Sequence, residues 1–202
     1  MRFQDFKAKL KDFAVFSLSD IRKFEPEFHR PRLNEWQAKG YIKKLRRGFY
    51  VFADLALNEE TLFLMANHLY SPSYVSFETA LSYYGLIPEG VYSITSAATK
   101  KTTSFKSPTA NFIYHRIKPQ LYFGYRLASQ GGQGYKVADP EKAVLDYLYL
   151  HPEIVREADF QEWRFNSKGF LAMADLLTLR RYAYGNKQLA KRLEKLIKLI
   201  QR

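Results

Sequence analysis

The sequence predicts an α+β chain: a small basic N-terminal unit, then a larger unit in which helices pack on a small, mostly antiparallel sheet. Three observations predict it. A helix, a turn and a hairpin follow one another within residues 29–52. Between about residues 91 and 138 the apolar positions change from helical spacing to strands rich in β-branched and aromatic residues. From Asp139 onwards helical spacing returns.

The first helix is carried by Phe3, Phe6, Leu10, Phe13 and Ala14, which recur on one face with Lys7, Lys9 and Lys11 on others. Ser19 is a cap for a second helix that Pro26 stops. Pro31 suits the first turn of a third, where its missing N–H has no intrahelical partner. Leu33 and Trp36 share its inner face, and Gly40 can end it in a left-handed conformation. Residues 41–45 and 49–52 read as two strands around Arg46-Arg47-Gly48, where Gly48 can take the positive φ of a tight turn.

Three helices and a basic-tipped hairpin are the layout of a winged helix-turn-helix, here expected over residues 1–55. Between Arg30 and Tyr50 the cations are Arg30, Arg32, Lys39, Lys43, Lys44, Arg46 and Arg47, and the only acid is Glu35. Such a surface neutralises phosphate. Arg30, Arg32 and Asn34 are the candidates to meet bases in the major groove, Arg suiting guanine and Asn adenine. Lys43, Lys44, Arg46 and Arg47 are the candidates for the backbone or minor groove, with Lys39 completing the set. The bland alternative is a solvated basic hairpin on an ordinary domain.

Residues 56–202 form the expected second unit. Asn58 caps a helix with Glu59 and Glu60 in its first turn. Ser71-Pro72 breaks it, and another begins near Ser76 and ends at Gly85. Strands are expected over 91–96, 110–115, 121–127 and 134–138, with a polar loop of residues 99–106 carrying Lys100, Lys101 and Lys106 as possible further nucleic-acid contacts. Asp139-Pro140-Glu141 starts a buried helix. Two more are expected over 167–182 and 186–201.

The composition bounds function. Of 202 residues, 32 are Lys or Arg and 20 Asp or Glu, giving +12, which favours a polyanionic partner. No cysteine is present, so disulfides and thiolate metal sites are excluded. No signal peptide or bilayer-length apolar run is recognisable, which makes a cytoplasmic protein without a membrane partner the default. His29, His68, His115 and His151 are scattered without metal-ligand spacing, and no metal or cofactor is expected. Gly131-Gly132-Gln133-Gly134 lacks the Gly-Lys-Ser/Thr ending of a phosphate loop and reads as a hairpin turn. Glu78 and Asp146 sit in apolar helices. Acid–base work needs them together, and nothing in the sequence brings them there, so capping, pairing with Lys or facing solvent is preferred. No enzyme is expected.

Three ordered blocks follow the basic module: Tyr74-Val-Ser-Phe-Glu-Thr-Ala-Leu-Ser-Tyr-Tyr-Gly-Leu86, Ser93-Ile-Thr-Ser-Ala-Ala-Thr99 and Ala138-Asp-Pro-Glu-Lys-Ala-Val-Leu-Asp146. Together they resemble the AbiEi family of bacterial antitoxins and transcriptional regulators, over about residues 16–149. The resemblance implies a winged helix-turn-helix followed by an antitoxin domain. It further implies a cytoplasmic repressor of its own operon, bound to double-stranded operator DNA, in a type IV toxin–antitoxin system linked to phage defence. The functional partner it implies is a nucleotidyltransferase-like toxin, countered without a stable complex being required. Two other readings remain: an antitoxin that acts by binding the toxin directly, and an RNA-binding protein.

Overall fold

A computed structural model describes residues 1–88, 90 and 92–202. The first sheet is three-stranded and antiparallel, in the order β1 (Phe16–Ser17), β3 (Phe49–Phe52), β2 (Ile42–Arg46). Around it lie α1 (Phe3–Lys9), α2 (Leu18–Arg22) and α3 (Pro31–Ala38). Their shared core is aromatic: Phe6 meets Trp36 at 4.5 Å between ring centroids, and Phe16 meets Phe52 at 4.9 Å. Leu33 and Trp36 are both buried in it, as their helical spacing requires. α1 is shorter than its apolar spacing suggests, since Leu10 and Phe13 lie beyond its end. α2 is capped by Ser17, not Ser19: the Ser17 hydroxyl accepts from Asp20 N while the Asp20 carboxylate accepts from Ser17 N.

The second sheet has six strands: β4 (Ser73–Val75), β5 (Ser93–Ala98), β6 (Thr103–Lys106), β7 (Asn111–Arg116), β8 (Tyr125–Gln130) and β9 (Gln133–Ala138). Their order is β6-β7-β5-β4-β9-β8. It is mixed rather than mostly antiparallel, because β4–β9 and β5–β7 pair in parallel. Two of its strands fall where none is expected from sequence. β4 is three residues long between two helices, and β6 lies in the polar stretch read as a loop, as an edge strand with half its residues exposed. Position 91 of the expected strand over 91–96 lies outside the described residues; Tyr92 precedes β5, which takes in residues 93–96 and runs on to Ala98. Leu121 belongs to a 3₁₀ turn over Pro119–Leu121, so the next strand starts only at Tyr125. Gly131 and Gly132 form the β8–β9 hairpin turn, with φ of 56° and 80° that suit the primed turns.

Helices cover both faces of this sheet, as parallel ladders require. On one face the Tyr114 hydroxyl donates to the Ala66 carbonyl of α4 (Glu59–Leu69). On the other, Tyr74 and Thr95 reach α6 (Pro140–Leu150) and α5 (Phe77–Tyr83). The region expected as one helix over 167–182 is two, α8 (Ser167–Met173) and α9 (Leu176–Tyr182), preceded by α7 (Glu157–Glu162). Asp175 divides them, because its carboxylate accepts from Leu177 N and Thr178 N and starts a new helix. The last helix, α10 (Lys187–Ile200), buries Leu189, Leu193, Leu196, Ile197 and Ile200 as its apolar stripe predicts. Among the described residues no helix is long and apolar enough to cross a membrane.

Asp139 caps α6, accepting from Lys142 N at 2.7 Å and from the Tyr182 hydroxyl at 2.8 Å. Burial pushes its carboxyl from 3.8 up to about 6, against the hydrogen bonds that lower it. The buried charge therefore costs stability above about pH 6, and this cost disappears as pH falls through 6 towards 3.8. Asp139→Asn keeps the cap and removes the charge. It is expected to stabilise the protein by about 1 kcal/mol at pH 7.5, after allowance for solvent screening of a partly exposed group, with the gain falling as pH drops through 6 and gone only below about pH 3.8. Chemical denaturation at pH 7.5 and at about pH 3.5 checks this, and a gain that persists undiminished at the lower pH refutes it.

Candidate nucleic-acid interface

The chemistry of the N-terminal unit follows from how α3 is seated. Leu33 and Trp36 point into the aromatic core, so the opposite face turns outward. On that face Arg30, Asn34, Gln37 and Ala38 are exposed, at positions that align along a helix. Pro31 occupies the first helical position. The helix ends where Gly40 takes φ 71°, with Gly40 N donating to the Gln37 carbonyl and Tyr41 N to the Trp36 carbonyl. This termination turns the chain directly into β2.

The predicted contact residues divide into free and engaged groups. Arg30 and Asn34 are exposed, and Arg30 has no ion-pair partner among the described residues. Arg32 is half-buried and its guanidinium donates to the Met1 carbonyl. Lys39 is exposed but paired with Glu35 at 2.7 Å, one turn back along α3. That pairing lowers the Glu35 carboxyl and raises the Lys39 ammonium. Lys43 and Lys44 are exposed on β2, the outer strand of its sheet, and Arg47 is exposed at the hairpin tip beside Gly48 at φ 89°. None of these three has an ion-pair partner among the described residues. Gln37 was not singled out from sequence, although its spacing from Arg30 and Asn34 is the available signal.

Arg46 differs from its neighbour. A bulge between Lys44 and Arg46 turns it inward, where it donates to the Leu69 carbonyl at 2.6 Å and stacks over the Phe105 ring at 4.1 Å. The hairpin is thus shared between two cores. Tyr50 and Phe52 face the N-terminal aromatic cluster, while Val51 and Leu45 join the larger core. Arg46→Ala is expected to lower stability by about 1–3 kcal/mol while leaving the salt dependence of any DNA binding unchanged. Arg47→Ala is expected to do the reverse. Paired denaturation and fluorescence-anisotropy titrations decide it, and a reduced salt slope in Arg46→Ala contradicts this assignment.

The second basic feature is partly spent as well. Lys100 donates to the Ser71 carbonyl at 2.5 Å and lies over the Tyr70 ring at 5.6 Å. Lys101 and Lys106 are exposed, the latter at the end of edge strand β6.

The two helix carboxylates serve separate networks. Asp146 is fully buried, ion-paired with Lys142 and accepting from the Tyr74 hydroxyl at 2.7 Å and the Ser76 hydroxyl at 2.8 Å. Burial and the nearby Asp146 charge hold the Tyr74 hydroxyl well above its ordinary value. Every partner is supplied by the fold itself, which makes this a structural polar core. Glu78 instead faces His151, 3.6 Å away.

The chain matches no protein-family model and no curated protein.

Proposed function

We propose that this protein is a DNA-binding repressor of its own operon and the antitoxin of a type IV toxin–antitoxin system, of the AbiEi kind. The observation that carries the reading is the N-terminal element order: α1, β1, α2, α3, β2, β3, with the sheet ordered β1-β3-β2. That is the arrangement expected of a winged helix-turn-helix. Its recognition helix is α3 and its wing the β2–β3 hairpin. In this reading Arg30 and Asn34, with Gln37 beside them, meet base edges, and Lys43, Lys44 and Arg47 neutralise phosphates; their exposure supports it.

The family reading draws support from where its sequence blocks meet. Tyr74 and Ser76 come from the first block, Thr95 from the second, Lys142 and Asp146 from the third. Thr95 donates to the Ser76 carbonyl at 2.8 Å, and Tyr74 and Ser76 both donate to Asp146. Blocks far apart in sequence thus specify one buried polar network. In this reading the C-terminal unit, residues 56–202, carries the antitoxin role. The protein acts in the cytoplasm without enzymatic activity or cofactor, and a nucleotidyltransferase-like toxin is its functional partner.

A reporter driven by the DNA upstream of its own operon tests the reading. Expression of the chain is expected to repress it, and unchanged output contradicts the repressor role. Direct binding to the toxin is a second reading, favoured by Leu171, Met173 and Leu177, apolar side chains exposed on α8 and α9. Co-purification of the tagged chain with its operon neighbour separates the two.

A further inference from the structure

Away from the basic face, α5, α6, β5, β7 and the end of α7 enclose a cleft of about 480 Å³. Its volume lies within the range of about 300–1,000 Å³ typical of small-ligand sites. Its walls include Ile87, Ile113, His115, Tyr147 and Trp163, with Glu78 among them and Glu162 nearby. Its described lining contains two carboxylates and neither lysine nor arginine, on a chain of net charge +12. The local charge is thus opposite to that of the whole molecule.

Glu78 is set into this cleft by unusual means. Phe77, at the first turn of α5, adopts φ 57°, a left-handed conformation that non-glycine residues avoid. Thr79 and Thr95 fasten the turn to β5, with Thr79 N donating to Thr95 Oγ1 at 3.1 Å and Thr95 N to Thr79 Oγ1 at 2.8 Å. Strain of this kind persists where the surroundings over-determine it, and it concentrates at ligand sites. The Glu78 side chain remains about one-third exposed (32%). Burial raises its carboxyl, but the His151 imidazole beside it, together with its own backbone N–H, outweighs this and keeps it ionised. Burial keeps His115 below its ordinary value, hence neutral at pH 7.5.

Glu78 Oε2 is a buried acceptor with no hydrogen-bond partner among the described residues, while Glu78 Oε1 lies 3.6 Å from His151 Nε2. Buried acceptors are otherwise paired as a rule, so this carboxylate has capacity left for a donor. Tyr147 stacks on Trp163 at 4.6 Å with a 6° interplanar angle and meets His151 at 4.3 Å.

We propose that this cleft binds a small ligand presenting a planar cationic N–H group, such as an amidinium or guanidinium, on a flat apolar body. An N–H group donates a charge-assisted hydrogen bond to the Glu78 carboxylate, and the body lies against Ile87 and Ile113.

The test uses benzamidine as probe and benzoate, of like size and opposite charge, as control. Binding is read from the indole N–H resonances of the full chain at pH 7.5. The two tryptophans make the readout internally controlled, because Trp36 lies in the N-terminal aromatic core. Benzamidine is expected to shift the Trp163 resonance saturably at or below about 1 mM. The Trp36 resonance and the benzoate titration should stay flat. Glu78→Gln should weaken the binding about tenfold or more. Should that variant fail to fold, Ile113→Phe narrows the cleft without touching the carboxylate and should weaken binding likewise. Absence of saturation, equal response to both probes, or undiminished binding in whichever variant folds overturns the proposal.

Discussion

Asp146→Ala is expected to destabilise the protein by about 3–5 kcal/mol, more than any other single replacement named above. The Lys142 ammonium has no exposed side-chain surface and no other carboxylate partner among the described residues. Removing Asp146 therefore strands a charge in the core and also leaves the Tyr74 and Ser76 hydroxyls without their acceptor. The cost is one of desolvation, so replacing both ions is expected to behave differently. Lys142→Met with Asp146→Leu should recover most of the stability, short of complete recovery by about 1–3 kcal/mol for the orphaned hydroxyls. Urea denaturation of the single and double variants reads both values. An Asp146→Ala variant within about 1 kcal/mol of the parent would mean that water reaches the pair.

The second large effect concerns recognition. Arg30→Ala and Asn34→Ala are each expected to weaken binding to the operator by about 1–3 kcal/mol, and to relax sequence preference at one position each. Stability should be unchanged, because both side chains are exposed and neither supports α3 from within. Removing Lys43, Lys44 and Arg47 together is expected to act differently, weakening all DNA alike. The slope of log Kobs against log salt should flatten by about 0.9 for each phosphate that is no longer neutralised. Anisotropy titrations of both sets against matched and mismatched duplexes distinguish base reading from phosphate neutralisation. An equal weakening on every sequence for Arg30→Ala would remove it from the base-reading set.

Much of this was legible in the sequence where local chemistry decides the outcome. Gly40 and Gly48 stand where the chain needs positive φ, Asn58 and Asp139 cap the helices their side chains promise, and Leu33 and Trp36 seat α3. What stayed illegible depends on partners distant in the chain. Ser73–Val75 is too short to show a period, and becomes a strand because β5 and β9 flank it. Thr103–Lys106 is polar because it forms an edge, so composition alone reads it as a loop. Arg46 and Arg47 are indistinguishable as neighbouring cations, and only the bulge at the end of β2 sends one inward to Leu69 and Phe105. Likewise Glu78 and Asp146 sit on helices of similar apolar character. The carboxylate whose helix also places Lys142 one turn away becomes core, and the other opens onto a cleft.

The most direct measurement is a gel-shift titration of the full chain on the DNA upstream of its own operon, against a scrambled duplex, across a series of salt concentrations. The account predicts a complex with the upstream DNA that survives salt sufficient to remove the scrambled one. Equal and equally salt-labile binding to both duplexes would contradict it, and would leave the +12 charge serving a partner other than an operator.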